Sequence, residues 1–154
     1  MRDHGGDLDA AISRYGGRRE GWLDLSTGIN RVPYPLPPLD LWAWTTLPEE
    51  ADVRALCTAA ADAYGTPARV VALAGAQAAI QLVPRLMAPG CARIVSPTYN
   101  EHAHALAAQG WRVEPVAGLA ALAGADLAVV VNPNNPDGRR HDPDDLRRLA
   151  RQVG

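Results

Sequence analysis

The sequence contains no lysine, because all 15 of its basic residues are arginines. A mechanism that needs a primary amine as nucleophile must therefore find it elsewhere. Cysteine is scarce as well. Cys57 and Cys91 have neither CxxC nor zinc-finger spacing, and each lies among apolar residues. We expect two buried thiols, with no disulfide and no metal site.

Long apolar runs and an excess of positive charge are also missing. No run approaches the roughly 20 residues that cross a bilayer, and the first residues, MRDHGGDLDAA, do not resemble a signal peptide. The net charge of -2 provides no basic field for nucleic acid. These absences predict a cytoplasmic protein whose partner is a small molecule, with no membrane and no nucleic acid involved.

The order of the predicted elements is typical of an α/β domain. Residues 1–48 hold most of the turn formers, including the proline cluster VPYPLPP, and we expect an irregular N-terminal arm. Residues 49–154 then alternate between helices and buried strands, as in a parallel sheet with crossover helices. The predicted helices are 49–64, 76–87, 99–110 and 142–154, and the predicted strands are 69–75, 92–97, 111–116 and 126–132.

The last predicted helix begins near the end of the sequence. Asp142 is its expected cap, and Pro143 occupies its first position. No further strand follows this helix. We therefore expect residues 49–154 to be the first part of a longer domain.

Three predicted strands end in turn-forming residues. Gly75-Ala76-Gln77 opens a helix, Ser96-Pro97-Thr98-Tyr99 follows the second strand, and NPNNPDG at 132–138 follows the fourth. We expect these turns to open onto one rim, where free N–H groups can bind an anion and asparagine amides can donate to a ligand oxygen. Each turn alone also has a purely structural explanation, and the Tyr99 ring could simply pack under its helix.

Together these motifs resemble fold-type-I pyridoxal-5'-phosphate enzymes, the aminotransferase superfamily, whose signature Asn-Pro-x-Asn-Pro-Thr-Gly reads NPNNPDG here. With HGGDLDAA, WLDLSTGIN and SPTYNEHAHA, the sequence is most similar to the threonine-phosphate decarboxylases of cobalamin biosynthesis. The resemblance implies an incomplete three-layer, mostly parallel sheet with pyridoxal 5'-phosphate as cofactor. It also implies a small phosphorylated amino acid as substrate, (R)-1-amino-2-propanol phosphate as product, and a homodimer when the protein is complete.

The resemblance assigns cofactor contacts to five residues. Gly75, Ala76 and Gln77 would bind the cofactor phosphate through their backbone N–H groups. Tyr99 would stack on the pyridine ring. Asn135 would donate a hydrogen bond to the phenolic oxygen of the cofactor and so help to set the electron distribution of its pyridine ring.

Substrate contacts are implied for the N-terminal arm, at His4, Gly28 and Asn30. For His4, a solvent-exposed terminal histidine is the alternative. No catalytic residue is assigned, because the family's cofactor-linked lysine, its aspartate at the pyridinium nitrogen and its carboxylate-binding arginine all come from later chain. We therefore expect residues 1–154 to be inactive alone.

The family's sheet order sets the strand at 70–74 apart from the other three predicted strands. We expect this strand to be detached from them and the isolated chain to be prone to aggregation or only partly folded. A histidinol-phosphate-type aminotransferase is an alternative within the same fold. Asp137, in place of the usual threonine, and the HGGD motif favour the decarboxylase. A small α/β phosphate-binding module without catalysis is a further alternative.

Overall fold

The computed structural model describes residues 5–30 and 32–154. Contacts divide the chain into two compact units, the first ending at Leu36 and the second comprising Pro37–Gly154. Residues 37–48, which were predicted to belong to the N-terminal arm, are part of the second unit. The predicted domain division after residue 48 stays a prediction.

Among its described residues, the first unit contains one α-helix, with loops before and after it. Helix α1 spans Leu8–Tyr15 and begins where the Asp7 carboxylate accepts a hydrogen bond from the Ala10 N–H at 2.9 Å. Gly16 follows it with φ 76°, a value that glycine adopts without steric cost. A single 3-10 turn, Arg19–Gly21, comes next. The arm was expected to be mostly irregular, and α1 is an ordered element that the turn-rich composition concealed.

The second unit begins with two helices. Helix α2 is short, spanning Trp42–Thr45. Helix α3 spans Glu50–Tyr64, close to its predicted bounds, and the Asp52 carboxylate accepts a hydrogen bond from the Glu49 N–H at 3.1 Å at its start. Gly65 ends α3 in the left-handed conformation, with φ 61° and ψ 36°. The predicted glycine stop is confirmed.

Three parallel strands form the sheet of the second unit, in the order β2-β1-β3. They are β1 (Cys91–Val95), β2 (Arg112–Val116) and β3 (Leu127–Val129). In the register, Ile94 of the central strand lies opposite Pro115 on one side and Val129 on the other. Since all three strands run in the same direction, their carboxyl ends lie at one edge of the sheet.

Residues of β1 face two separate cores. Ile94 packs with Leu106 on one face, and Val95 packs with Leu149 on the other. Because Leu106 and Leu149 come from different helices, the sheet is covered on both sides. This arrangement is the three-layer α/β class that the sequence predicts. The helices around the sheet are α4 (Gly75–Leu82), α5 (Glu101–Ala108) and α6 (Pro143–Ala150), with 3-10 turns at Val83–Arg85 and Leu119–Leu122.

The strand predicted at 69–75 is not formed, so that prediction is wrong. Residues 69–73 have no regular structure, and Val71 and Leu73 are 70% and 44% exposed. An apolar sequence indicates a segment suited to burial, but a strand also needs a neighbour that supplies backbone hydrogen bonds. Within the described residues this segment joins no sheet. The expectation that 70–74 lies apart from the other strands is confirmed.

Several other elements are shorter than predicted, and helix α4 and strand β3 are two of them. Helix α4 ends at Leu82 rather than at residue 87, and a 3-10 turn containing Pro84 follows it. Proline has no N–H for a helical hydrogen bond, which explains the early end. The Pro84 carbonyl instead accepts a hydrogen bond from Nε1 of the buried Trp111 at 3.0 Å. Strand β3 ends at Val129, before the predicted residue 132.

Candidate functional site

The loops that follow β1 and β3 are joined by side-chain hydrogen bonds. The Thr98 hydroxyl donates to Asn134 Oδ1 at 2.7 Å, and Asn134 Nδ2 donates to the Pro97 carbonyl at 3.0 Å. These contacts connect residues 36 and 37 positions apart in the chain. The predicted meeting of the two strand ends at one rim is confirmed.

The start of helix α4 is joined to the same rim. Gln77 Nε2 donates a hydrogen bond to Glu101 Oε2 at 3.0 Å. Glu101 is the first residue of α5, directly after the loop that carries Tyr99, and it is only 2% exposed. All three turns singled out in the sequence therefore lie together.

The backbone at the start of α4 offers two free donors. The Gly75 N–H donates to the Leu73 carbonyl at 2.8 Å, and no side chain caps the helix. Among the described residues, we find no acceptor for the N–H groups of Ala76 and Gln77. These two exposed residues fit an anionic group, because unpaired N–H groups and the helix dipole both favour negative charge. The predicted contribution of the Gly75 N–H stays a prediction, since in this structure that group is already engaged.

The NPNNPDG loop is held by bonds within itself. Asn134 Nδ2 donates to Asp137 Oδ1 at 2.7 Å, and the Arg139 N–H donates to the same oxygen at 3.0 Å. The hydrogen bond from the Arg139 backbone, followed by that from Asn134, lowers the pKa of the Asp137 carboxyl group. An aspartate is therefore suited to the position where the motif usually has threonine, since its charge is stabilised by two donors.

Asn135 differs from its neighbour in the motif. Its side chain is exposed, and we find no hydrogen bond to it among the described residues. An amide in this state can donate to a ligand oxygen. The geometry is compatible with the predicted contact to the phenolic oxygen, which stays a prediction.

Tyr99 is half-buried at the same rim. Its ring lies edge-on to that of His102, with centroids 6.2 Å apart and an interplanar angle of 85°. Burial lowers the pKa of the His102 imidazole, which favours a neutral partner for the tyrosine. The stacking of Tyr99 on a pyridine ring stays a prediction.

Two of the predicted substrate residues, Gly28 and Asn30, belong to the first unit. Gly28 is exposed, with open space where a Cβ would lie, and Asn30 Oδ1 accepts a hydrogen bond from the Val32 N–H at 2.9 Å. His4 lies outside the described residues. The substrate roles of all three residues stay predictions.

The HGGD and STGIN motifs contact each other within the first unit. The Gly6 N–H donates to Ser26 Oγ at 2.7 Å. A Cβ on Gly5 would lie 2.2 Å from the Ser26 carbonyl oxygen, so only glycine fits there without a shift of the backbone. Gly5, Gly6 and Ser26 are therefore closely packed, although Ser26 is 20 positions after Gly6.

No individual role was assigned from the sequence to three residues of the rim: Thr98, Glu101 and Asn134. Their importance comes from hydrogen bonds between distant segments, which have no local signature in the sequence. Asn134 occupies the variable position of the Asn-Pro-x-Asn-Pro signature, so the motif itself gave no reason to select it.

An apolar cavity of about 280 Å³ lies near the rim. Side chains of α4, α5 and β3 line it, and His102 is its polar member. None of the five predicted cofactor residues lines this cavity, so it is separate from the candidate cofactor site.

No helix in the described part of the chain combines the length and apolar composition needed to cross a bilayer. Residues 5–30 and 32–154 contain no cluster of three or more metal-binding side chains.

Comparison with known proteins defines the class of this chain. The family model for aminotransferase class I and II matches residues 49–153. This match covers most of the chain, and the chain belongs to that family. The family resemblance of the sequence motifs is thereby confirmed.

Two curated relatives are more specific. The chain is 47% identical over 150 residues to the threonine-phosphate decarboxylase of Sinorhizobium sp., an alignment that covers 96% of this chain and 45% of the relative. It is 44% identical over 161 residues to the threonine-phosphate decarboxylase of Pseudomonas aeruginosa, covering 100% and 48%. The chain therefore spans a little under half the length of these relatives.

Proposed function

We propose that this chain is the N-terminal part of a pyridoxal-phosphate-dependent L-threonine O-3-phosphate decarboxylase, which yields (R)-1-amino-2-propanol phosphate for cobalamin biosynthesis. The observation that carries the proposal is the identity of 44–47% with two proteins of that name, over nearly the whole chain. The rim supports it, because phosphate, ring and phenolic-oxygen contacts are all available from residues at one edge of the sheet.

The residues present fit the cofactor by their chemistry. The N–H groups of Ala76 and Gln77 would hold the phosphate, the Tyr99 ring would cover one face of the pyridine, and the Asn135 amide would donate to the phenolic oxygen. When bound, pyridoxal phosphate supplies an electron sink for the substrate carbon that loses carbon dioxide.

The Gln77–Glu101 hydrogen bond would hold the start of α4, whose N–H groups would bind the phosphate, at the rim. That bond uses the side-chain amide of Gln77, so the Gln77 backbone N–H, for which the described residues offer no acceptor, would be left for the ligand. These residues would bind the cofactor or orient the groups that bind it, and none of them would form a covalent bond with it. The lysine that the chemistry needs is not among the 154 residues.

Three further features belong to the same proposal. The substrate is a small phosphorylated amino acid, the complete protein is a homodimer, and the compartment is the cytoplasm. Gly28, Asn30 and His4 would contribute to the recognition of the substrate phosphate or carboxylate.

The proposal is tested with the complete product of the gene that encodes this sequence. We expect it to release carbon dioxide from L-threonine O-3-phosphate in the presence of pyridoxal phosphate, measured with the carboxyl group isotopically labelled. L-histidinol phosphate with 2-oxoglutarate is the matched control for a transaminase. Turnover of histidinol phosphate without decarboxylation of threonine phosphate would replace this proposal by the aminotransferase alternative.

Residues 1–154 alone are expected to form no covalent bond with pyridoxal phosphate at any internal residue, because they contain no lysine. The measurement is borohydride reduction after incubation, followed by mass spectrometry of the peptides. The complete gene product serves as the positive control. A reduced cofactor on an internal peptide of residues 1–154 would contradict the expectation and identify another nucleophile.

A further inference from the structure

Asn134 lies where the loop that carries Tyr99 meets the loop that carries Asn135. Its side-chain oxygen accepts from the Thr98 hydroxyl, and its nitrogen donates both to the Pro97 carbonyl and to a carboxylate of its own loop. An amide bonded at both ends has one defined orientation, because its oxygen only accepts and its nitrogen only donates. The two loops therefore cannot move independently without losing these bonds.

The backbone of Asn134 is fixed as well. Its N–H donates to the Arg139 carbonyl, and its own carbonyl accepts from the Gly138 N–H, both at 2.8 Å. Asn134 is half-buried, whereas the adjacent Asn135 is exposed and has no side-chain hydrogen bond among the described residues. The two asparagines thus have different tasks: the first anchors the loop, and the second remains available to a ligand.

We infer that Thr98 and Asn134 are positioning residues for the cofactor, whose hydrogen bond fixes the Tyr99 ring relative to the Asn135 amide. This inference rests on the proposed function, because it gives Tyr99 and Asn135 the same flat ligand. To bind such a ligand, the protein must present an aromatic ring and a hydrogen-bond donor at a fixed distance from each other. If the loops moved freely, the cost of ordering them would reduce the affinity.

Asp137 supports this arrangement. Its carboxylate accepts from Asn134 Nδ2 and from the Arg139 N–H, so the nitrogen of the Asn134 amide is held as firmly as its oxygen. Both bonds go to Oδ1 of the Asp137 carboxylate, and a charged oxygen accepts hydrogen bonds more strongly than the neutral hydroxyl oxygen of the motif's usual threonine would. The positioning contact and the departure from the usual motif are therefore linked.

The test compares Thr98→Val with Thr98→Ser in the complete gene product. Valine keeps the shape of threonine but has no hydroxyl group, whereas serine keeps the hydroxyl group. We expect equilibrium dialysis of pyridoxal phosphate to show roughly fivefold weaker binding by Thr98→Val, as for one lost hydrogen bond, and nearly unchanged binding by Thr98→Ser. Amide hydrogen exchange without cofactor should be faster at Gly138 and Arg139 in Thr98→Val only.

A double variant separates positioning from an independent effect. If Thr98 acts through the Asn135 loop, Thr98→Val should cost less affinity when Asn135 is already alanine than when it is asparagine. Strictly additive losses, or equal cofactor affinity of Thr98→Val and the unchanged protein, would overturn the inference and leave the proposed function intact. Failure of the unchanged protein to bind pyridoxal phosphate would instead refute the proposed function, and the inference with it.

Discussion

Replacing Ile94 by alanine is expected to lower the free energy of unfolding by about 2–5 kcal/mol. Ile94 is 2% exposed and lies in the central strand, where it packs with Leu106, Trp111 and Leu127. The substitution removes apolar contacts and leaves a cavity that the strands on both sides prevent from closing. Urea denaturation of the complete gene product measures the effect.

Ile94→Val provides the matched control at the same site. It removes a single methylene group and should cost only about 0.5–1.5 kcal/mol. If alanine costs no more than valine, the site does not belong to a close-packed core, and the assignment of β1 as the centre of the sheet would be wrong.

The second large effect is expected for Asn135→Ala in the complete gene product. If the exposed amide donates to the cofactor in a closed site, its loss should weaken pyridoxal-phosphate binding by about 5- to 150-fold, the equivalent of about 1–3 kcal/mol. The fold should be retained, because no described residue depends on the Asn135 side chain for a hydrogen bond. Equilibrium dialysis and circular dichroism together measure both outcomes.

Asn132→Ala is the control for a general effect on the loop. Among the described residues, the partners of the Asn132 amide are the backbone groups of His141, at 2.9 and 3.1 Å, so its loss should loosen the loop without removing a ligand contact. We expect a smaller loss of cofactor affinity than for Asn135→Ala. Equal losses for the two variants would mean that Asn135 is only a turn residue.

The helix ends show what local sequence can predict. Gly65 ends α3, and Asp142 caps α6 by accepting from the Asp144 N–H at 2.8 Å, as the sequence indicates. Such signals act between residues a few positions apart, so they are present in the sequence wherever the segment is placed. The fold class was predictable for the same reason, since apolar runs and turn residues alternate with a regular order.

The segment at 69–74 shows where this reasoning stops. Its composition is that of a buried strand, yet Val71 is 70% exposed and no described strand pairs with it. The composition of a segment indicates that it is suited to a sheet. The formation of a strand also requires a neighbouring strand, which can lie far away in the chain. The resemblance, unlike the composition, predicted that this segment would stand apart.

The sequence by itself determined the family, the α/β class, the absence of an internal amine nucleophile and the three turns that build the rim. Only the tertiary structure decided how these turns are connected. Thr98 and Asn134 are 36 positions apart, and Gln77 and Glu101 are 24 apart. The family signature selects Asn135, but it gives no sign that Asn134 anchors the loop, because that role depends on the residues that the folded chain brings against its amide.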